Sequence, residues 1–200
     1  MSMHYLAKKI TLFYIKKGKI EEDDREVYEY SFEMLISTII NFLIMIVGAL
    51  ITKRYWETAL FTFSFLLFRK FFGGYHAKTH IGCISILVIM YLTMIFMIRL
   101  DARLLSIIAM IICSLSIIPV LLLSPVSHPN NPIDKNRIKM YNIVSIFLVL
   151  LVVILAYLNY TKVSNTCYSI VFSIPLLFSI VAMIIGYVLY VKNDEGDLID

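Results

Sequence analysis

Residues Leu104 to Leu123 read LLSIIAMIICSLSIIPVLLL, twenty residues without a charge. A helix rises 1.5 Å per residue, so this stretch reaches about 30 Å, the thickness of a bilayer's hydrocarbon core. Similar stretches flank it. Met34–Ile51 lies between Glu33 and Lys53, Ile81–Ile98 ends at Arg99, and Tyr141–Leu158 and Tyr168–Val191 follow. Tyr55–Phe68 is shorter and carries Glu57. Its length of about 21 Å suits either a thin-membrane crossing or a re-entrant element. The predicted fold class is all-α: a polytopic integral membrane protein with six transmembrane helices at about 34–51, 55–68, 81–98, 104–123, 141–158 and 168–191. Residues 1–200 form one membrane domain in this reading, with 1–32 as a cytoplasmic or interfacial segment.

Composition agrees. Of 200 residues, 60% are apolar and 16% charged, with a mean hydropathy of +0.84. Soluble domains carry about a quarter charged residues, and one core could not hide this much apolar surface while still clothing its exterior. A net charge of +4 is too small to signal a nucleic-acid partner. Cys83, Cys113 and Cys167 form no CxxC pair, so neither a zinc ribbon nor a disulfide framework is suggested. No cleavable signal peptide is expected, because the basic N-terminal residues run into Glu21-Glu22-Asp23-Asp24 and not into an apolar core.

Charge placement orients the chain. If all six segments cross and the N-terminus is cytoplasmic, 13 basic residues lie inside and 5 outside; if Tyr55–Phe68 only dips in, the division is 9 to 9. The positive-inside bias favours six crossings with both termini cytoplasmic. Leu6, Ile10, Phe13 and Tyr14 recur at helical spacing among lysines, a pattern for an amphipathic helix on the inner leaflet, with a solvated helix as the plainer alternative. Pro125, Pro129 and Pro132 make Ser124–Lys139 an irregular connection, and Pro119 and Pro175 kink their spans.

One stretch differs from the rest: RKFFGGYHAKTHIGC, residues 69–83. Gly73-Gly74 permits a sharp turn or a close backbone approach. His76 can exchange a proton near neutral pH. Cys83 stands at the mouth of the following span, and Arg69, Lys70 and Lys78 supply positive potential that favours a thiolate. These are the components of a Cys–His nucleophilic pair. On one continuous helix His76 and Cys83 would lie about 10.5 Å apart along the axis, so the pair needs the loop to fold back. The plainer reading of a cysteine at a helix end is packing. Metal binding through His76, His80 and Cys83 is a further option, but HAKTH lacks the glutamate of HExxH. His80 reads as a loop residue, His4 and His128 as surface residues, and Cys113 as packing. Cys167 lies on the outer side without a partner in sequence. Glu57 either snorkels or pairs with Arg54.

The same stretch resembles the core motif of the accessory gene regulator B family of membrane peptide-processing endopeptidases. In that motif an arginine precedes a glycine near a His-Ala pair, and a cysteine follows the histidine by seven residues; here these are Arg69, Gly74, His76-Ala77 and Cys83. Chain length, the basic N-terminal segment and a loop with Ser-Pro-Val then Asn-Pro-Ile are also similar, so the resemblance covers nearly the whole chain. It implies a cysteine endopeptidase that removes the acidic tail of a short propeptide and holds the remainder as a thioester. Displacement by a side-chain thiol or hydroxyl of the peptide then closes a thiolactone or lactone ring, the precursor of a quorum-sensing autoinducer.

Carried over, Cys83 is the nucleophile and His76 the general base. Arg69 suits bidentate pairing with substrate carboxylates or anchoring to lipid phosphates, with Lys70 and Lys78 beside it. Gly74 serves backbone shape or offers an oxyanion-stabilising N–H. Asn130, Asn131 and Asp134 share the side of the membrane on which a third catalytic group would lie. The implied partners are the propeptide, membrane lipids and a second copy of the chain, with no cofactor or metal. The rival readings are a small transporter or channel and a non-enzymatic receptor or scaffold. Charges gathered at span ends disfavour a transporter or channel.

Overall fold

A computed structural model describes residues 3–74, 80–127, 133–162 and 168–191. Among the described residues there are helices and no β-strand. The chain divides into two compact units, Met1–Lys53 and Arg54–Asp200.

In the first unit α1 (Met3–Lys16) packs on α2 (Arg25–Thr52), joined through a 3₁₀ turn at Glu22–Asp24. The apolar residues singled out above are not the ones α1 buries most. Ala7 and Thr11 are fully buried, one turn apart, whereas Phe13 and Tyr14 stay 52% and 40% exposed. Small side chains let two helices approach closely, and the Thr11 hydroxyl returns its proton to the Ala7 carbonyl at 3.1 Å. The Phe13 ring is left on the outside beneath the Lys17 ammonium at 4.5 Å, while the Tyr14 ring stacks on Phe32 of α2 at 5.8 Å. Helix α2 begins at Arg25 and not at Met34, because Arg25 bridges Glu22 (3.0 Å) and Glu29 (2.9 Å) around the first turn. Hydropathy marks where a helix becomes apolar; it does not mark where the helix starts.

The second unit contains α3 (Tyr55–Phe72), α4 (His80–Met97), α5 (Ala102–Leu123), α6 (Lys135–Lys162) and α7 (Tyr168–Gly186), which continues as a π-helical turn at Tyr187–Val191. Helix α7 is central and packs against α3, α4, α5 and α6. Its Leu176, Ile180 and Met183 join Phe68 and Phe72 of α3, Val120 of α5 and Val149 and Val152 of α6 in one core. Cys113 of α5 is fully buried against α7, its sulfur 3.2 Å from the Ser173 hydroxyl, as its packing role requires. Asp101 caps α5 by accepting from the N–H groups of Arg103 and Leu104.

Among the described residues four helices are long and apolar enough to cross a membrane: Glu22–Thr52, Arg103–Leu123, Asn136–Thr161 and Tyr168–Tyr190. Gly82–Met97 is a shorter apolar helix. The exteriors of these helices are apolar. Phe42, Leu43, Ile46 and Val47 of α2, Ile111, Leu115, Ile118 and Leu122 of α5, and Ile143, Phe147 and Ile154 of α6 are all exposed. Surfaces of this kind far exceed the apolar patches tolerated in water, and lipid is their matching solvent. Helix α3 is longer than its apolar run suggests. Its 18 residues span about 27 Å, with Arg69 and Lys70 in the last turn and not in a loop. Two other boundaries shift. Helix α6 starts at Lys135, which shortens the irregular segment after Ser124, and His80 begins α4 and is not a loop residue.

At the end of α3 the backbone enters a narrow passage. Gly73 and Gly74 have φ of +69° and +96°, which side chains rarely adopt. The Gly74 N–H donates to the Val126 carbonyl and the Val126 N–H to the Phe72 carbonyl, both at 3.0 Å. A Cβ on Gly73 would overlap the Val126 carbonyl, and one on Gly74 would stand 2.6 Å from Met183 Cα and 2.7 Å from the Ala182 carbonyl of α7. The buried Ser145 hydroxyl of α6 adds a hydrogen bond to the Phe71 carbonyl at 3.0 Å. Loop, α6 and α7 thus hold residues 71–74 mainly by backbone. Gly74→Ala should lose about 2–4 kcal/mol of stability, since left-handed strain adds to overpacking against backbone that cannot yield. Thermal unfolding of the purified variant in detergent checks this, and an unchanged midpoint would mean the passage is looser than drawn.

Candidate functional site

The passage fixes one end of a cavity of about 270 Å³ between α3, α4 and α7. Phe65 and Arg69 line it from α3, Cys83 and Met90 from α4, and Ser179 and Ala182 from α7. Ala182 is also the residue whose carbonyl faces Gly74, so cavity and passage share a wall. Further along, the Thr58 and Tyr91 hydroxyls meet at 2.9 Å and the Phe61 and Tyr91 rings pack edge-on at 5.9 Å. Those contacts pin α4 to α3 two turns beyond Cys83.

Of the residues singled out in the sequence, Arg69 and Cys83 are brought together here. Cys83 is a free, half-buried thiol in the first turn of α4. Arg69 is half-buried in the last turn of α3, within electrostatic reach of the Cys83 sulfur and of Tyr190 in the π turn. Among the described residues it forms no ion pair. A cation at an apolar wall is costly when unpaired and calls for an anion. Lys70 is exposed, with its ammonium 5.5 Å from the centre of the Phe71 ring, and does not line the cavity. Gly74 is buried, and its N–H is taken by Val126, so it acts through backbone shape and has no free donor.

His76 and Lys78 lie outside the described residues, as do His128, Cys167, Asn130 and Asn131 and the side chain of His80. Asp134 is used locally: its carboxylate accepts from the Asn136 N–H at 3.1 Å at the start of α6. Glu57 is held by Arg54 at 2.9 Å, the pairing its position suggested. His4 is exposed, 3.4 Å from Glu33. Among the described residues no group of three or more His, Cys, Asp or Glu gathers as a metal site would require.

One cavity residue was not legible in the sequence. Ser179 is only 3% exposed, yet among the described residues its hydroxyl has no hydrogen-bond partner. Serines in apolar helices usually return the proton to the carbonyl one turn back. Ser116, Ser145 and Ser173 do so, at 2.6, 2.8 and 2.7 Å. An orphaned buried hydroxyl costs about 1–3 kcal/mol. Asn41, Ser124 and Ser169 also carry orphaned oxygens, but none of them lines the cavity. The only signal in the sequence is a serine within an apolar run, which is indistinguishable from a self-satisfied one.

Comparison with known proteins meets this arrangement. The chain matches the family described as Accessory gene regulator B over residues 7–191. It is 25% identical over 196 residues to a protein of Clostridium beijerinckii described as AgrB-like, covering 96% of this chain and 95% of the relative. No solved structure matches. With the family's pattern running through all but the ends of the sequence, the chain belongs to the accessory gene regulator B family.

Proposed function

We propose that the chain is a membrane-embedded cysteine endopeptidase that trims and cyclises a short propeptide, within the autoinducer-processing role its family carries. The observation that carries this reading is the free Cys83 thiol lining the same cavity as Arg69. His76 follows Gly74 by two residues in the sequence, so the passage that anchors Gly74 bears directly on where the base can stand.

In this mechanism His76 takes the Cys83 proton and the sulfur attacks the scissile carbonyl carbon. The carbon–nitrogen bond then breaks, and His76 returns the proton to the leaving amine of the acidic tail. Arg69, with no described counter-ion, pairs with a carboxylate of that tail. The peptide remains joined to Cys83 as a thioester, which keeps much of its acyl-transfer potential. Displacement by the peptide's own thiol or hydroxyl closes the ring and restores the Cys83 thiol. Apolar walls from Phe65, Met90 and Phe178 limit competing water, and tethering supplies the effective concentration ring closure needs.

Six crossings fit the geometry. Helix α3 at about 27 Å nearly matches the hydrocarbon thickness, and the charge bias then puts both termini and residues 69–83 on the cytoplasmic side. Helix α1 lies on the inner leaflet in this reading, with Phe13 toward lipid. A homodimer is the working unit expected from the family resemblance.

Cys83→Ala should abolish removal of the propeptide tail while leaving the fold intact; continued cleavage would sink the thiol mechanism. His76→Gln should slow cleavage at least about 100-fold, the usual scale for a general base, and near-normal turnover would assign the base elsewhere. A reporter fused after Arg103 should prove extracytoplasmic, and a cytoplasmic signal would overturn the six-crossing arrangement.

A further inference from the structure

Acyl transfer needs a donor for the negative oxygen that forms when a thiolate adds to a carbonyl. The sequence suggested the Gly74 N–H, but that group is spent on the Val126 carbonyl at 3.0 Å. Another donor lines the same cavity. Ser179 is buried to 3% exposure, it lines the same cavity as Cys83, and among the described residues its hydroxyl has no hydrogen-bond partner. It also stands one helical turn from Ala182 and Met183, the two residues that brace Gly74. The helix that braces Gly74 therefore also places an unspent hydroxyl in the wall of the cavity that Cys83 lines.

We propose that Ser179 donates a hydrogen bond to the carbonyl oxygen of the peptide bond attacked by Cys83. This rests on the peptidase reading and adds a catalytic residue to it. When the sulfur–carbon bond forms, the carbonyl π pair moves to oxygen, and Ser179 O–H steadies that charge without giving up its proton. When the pair returns, the carbon–nitrogen bond breaks and the amine leaves with the proton held by His76. The same hydroxyl meets the thioester carbonyl during ring closure, so both halves of the reaction use it. An apolar surround strengthens the interaction, because no water competes for the oxygen.

The orphaned state separates this role from a structural one. A serine holding the fold together would destabilise the protein on removal, whereas deleting an unpaired buried hydroxyl leaves stability unchanged or higher. The test uses the full chain in lipid vesicles and a fluorescent synthetic peptide with an amphipathic start, a central cysteine and an acidic tail. Wild type, Cys83→Ala, Ser179→Ala and Ser179→Thr are compared for single-turnover thioester formation, thermal unfolding and alkylation of Cys83 by iodoacetamide, which forms no oxyanion. Ser179→Ala should form thioester about 100-fold more slowly, unfold no earlier than wild type and alkylate normally, with Ser179→Thr recovering most of the rate. Wild-type rates in Ser179→Ala would overturn the proposal, as would an earlier unfolding midpoint with slowed alkylation and no rescue by threonine. If wild type leaves the peptide uncut, or Cys83→Ala still cuts it, the peptidase reading fails first. If Cys83→Ala is inactive and Ser179→Ala is normal, only the assignment of Ser179 falls.

Discussion

The backbone of Phe72–Gly74 passes where no side chain fits, between the Val126 carbonyl on one side and the main chain of Ala182 and Met183 on the other. Two reciprocal hydrogen bonds with Val126 and a third from Ser145 close the passage. In an apolar surround an unpaired backbone group is expensive, so these bonds hold the strip more firmly than the same bonds would in water. From that fixed strip α3 runs back with Arg69 one turn away, and α7 carries Ala182 into the cavity wall. Moving the strip would disturb the cavity, the α3–α7 packing and the point from which residues 75–79 depart.

Polar groups inside this fold fall into two classes. Most are spent locally: Thr58 on Tyr91, Cys113 on Ser173, Ser145 on Phe71 and Tyr141. Arg69 and Ser179 are different, one without a counter-ion among the described residues and the other without a hydrogen bond, and both line the cavity that holds Cys83. Leaving such groups unsatisfied costs stability, and that cost is tolerated where an incoming carbonyl or carboxylate can meet them. The cavity thus combines apolar walls with two polar groups that have no partner among the described residues.

The motif from Arg69 to Cys83 was legible because glycine, histidine and cysteine are rare in this chain and stand close together. Spacing alone left open whether Arg69 and Cys83 meet, since they belong to different helices on either side of a turn. The role of Gly74 was half legible: the need for glycine could be read, but its partner could not, because Val126 is remote in sequence. Helix ends were the least legible part. Arg25 starts α2 through ion pairs, and Arg69 and Lys70 extend α3 past its apolar run, since charged residues at a helix end carry no hydropathic signal.

By itself the sequence determined that the chain is helical and apolar-surfaced, because twenty-residue runs without charge admit few other structures, and it singled out the Arg69–Cys83 stretch, where the chain's scarce glycine, histidine and cysteine gather. Only the tertiary structure decided that α7 is the central helix, that the Gly74 N–H is occupied and that Ser179, without a partner among the described residues, lines the same cavity as Cys83. Those facts depend on which helix faces meet. Among helices that are apolar on every side, hydrophobicity does not select the contacting face; the fit of small residues and the pairing of the few polar groups do.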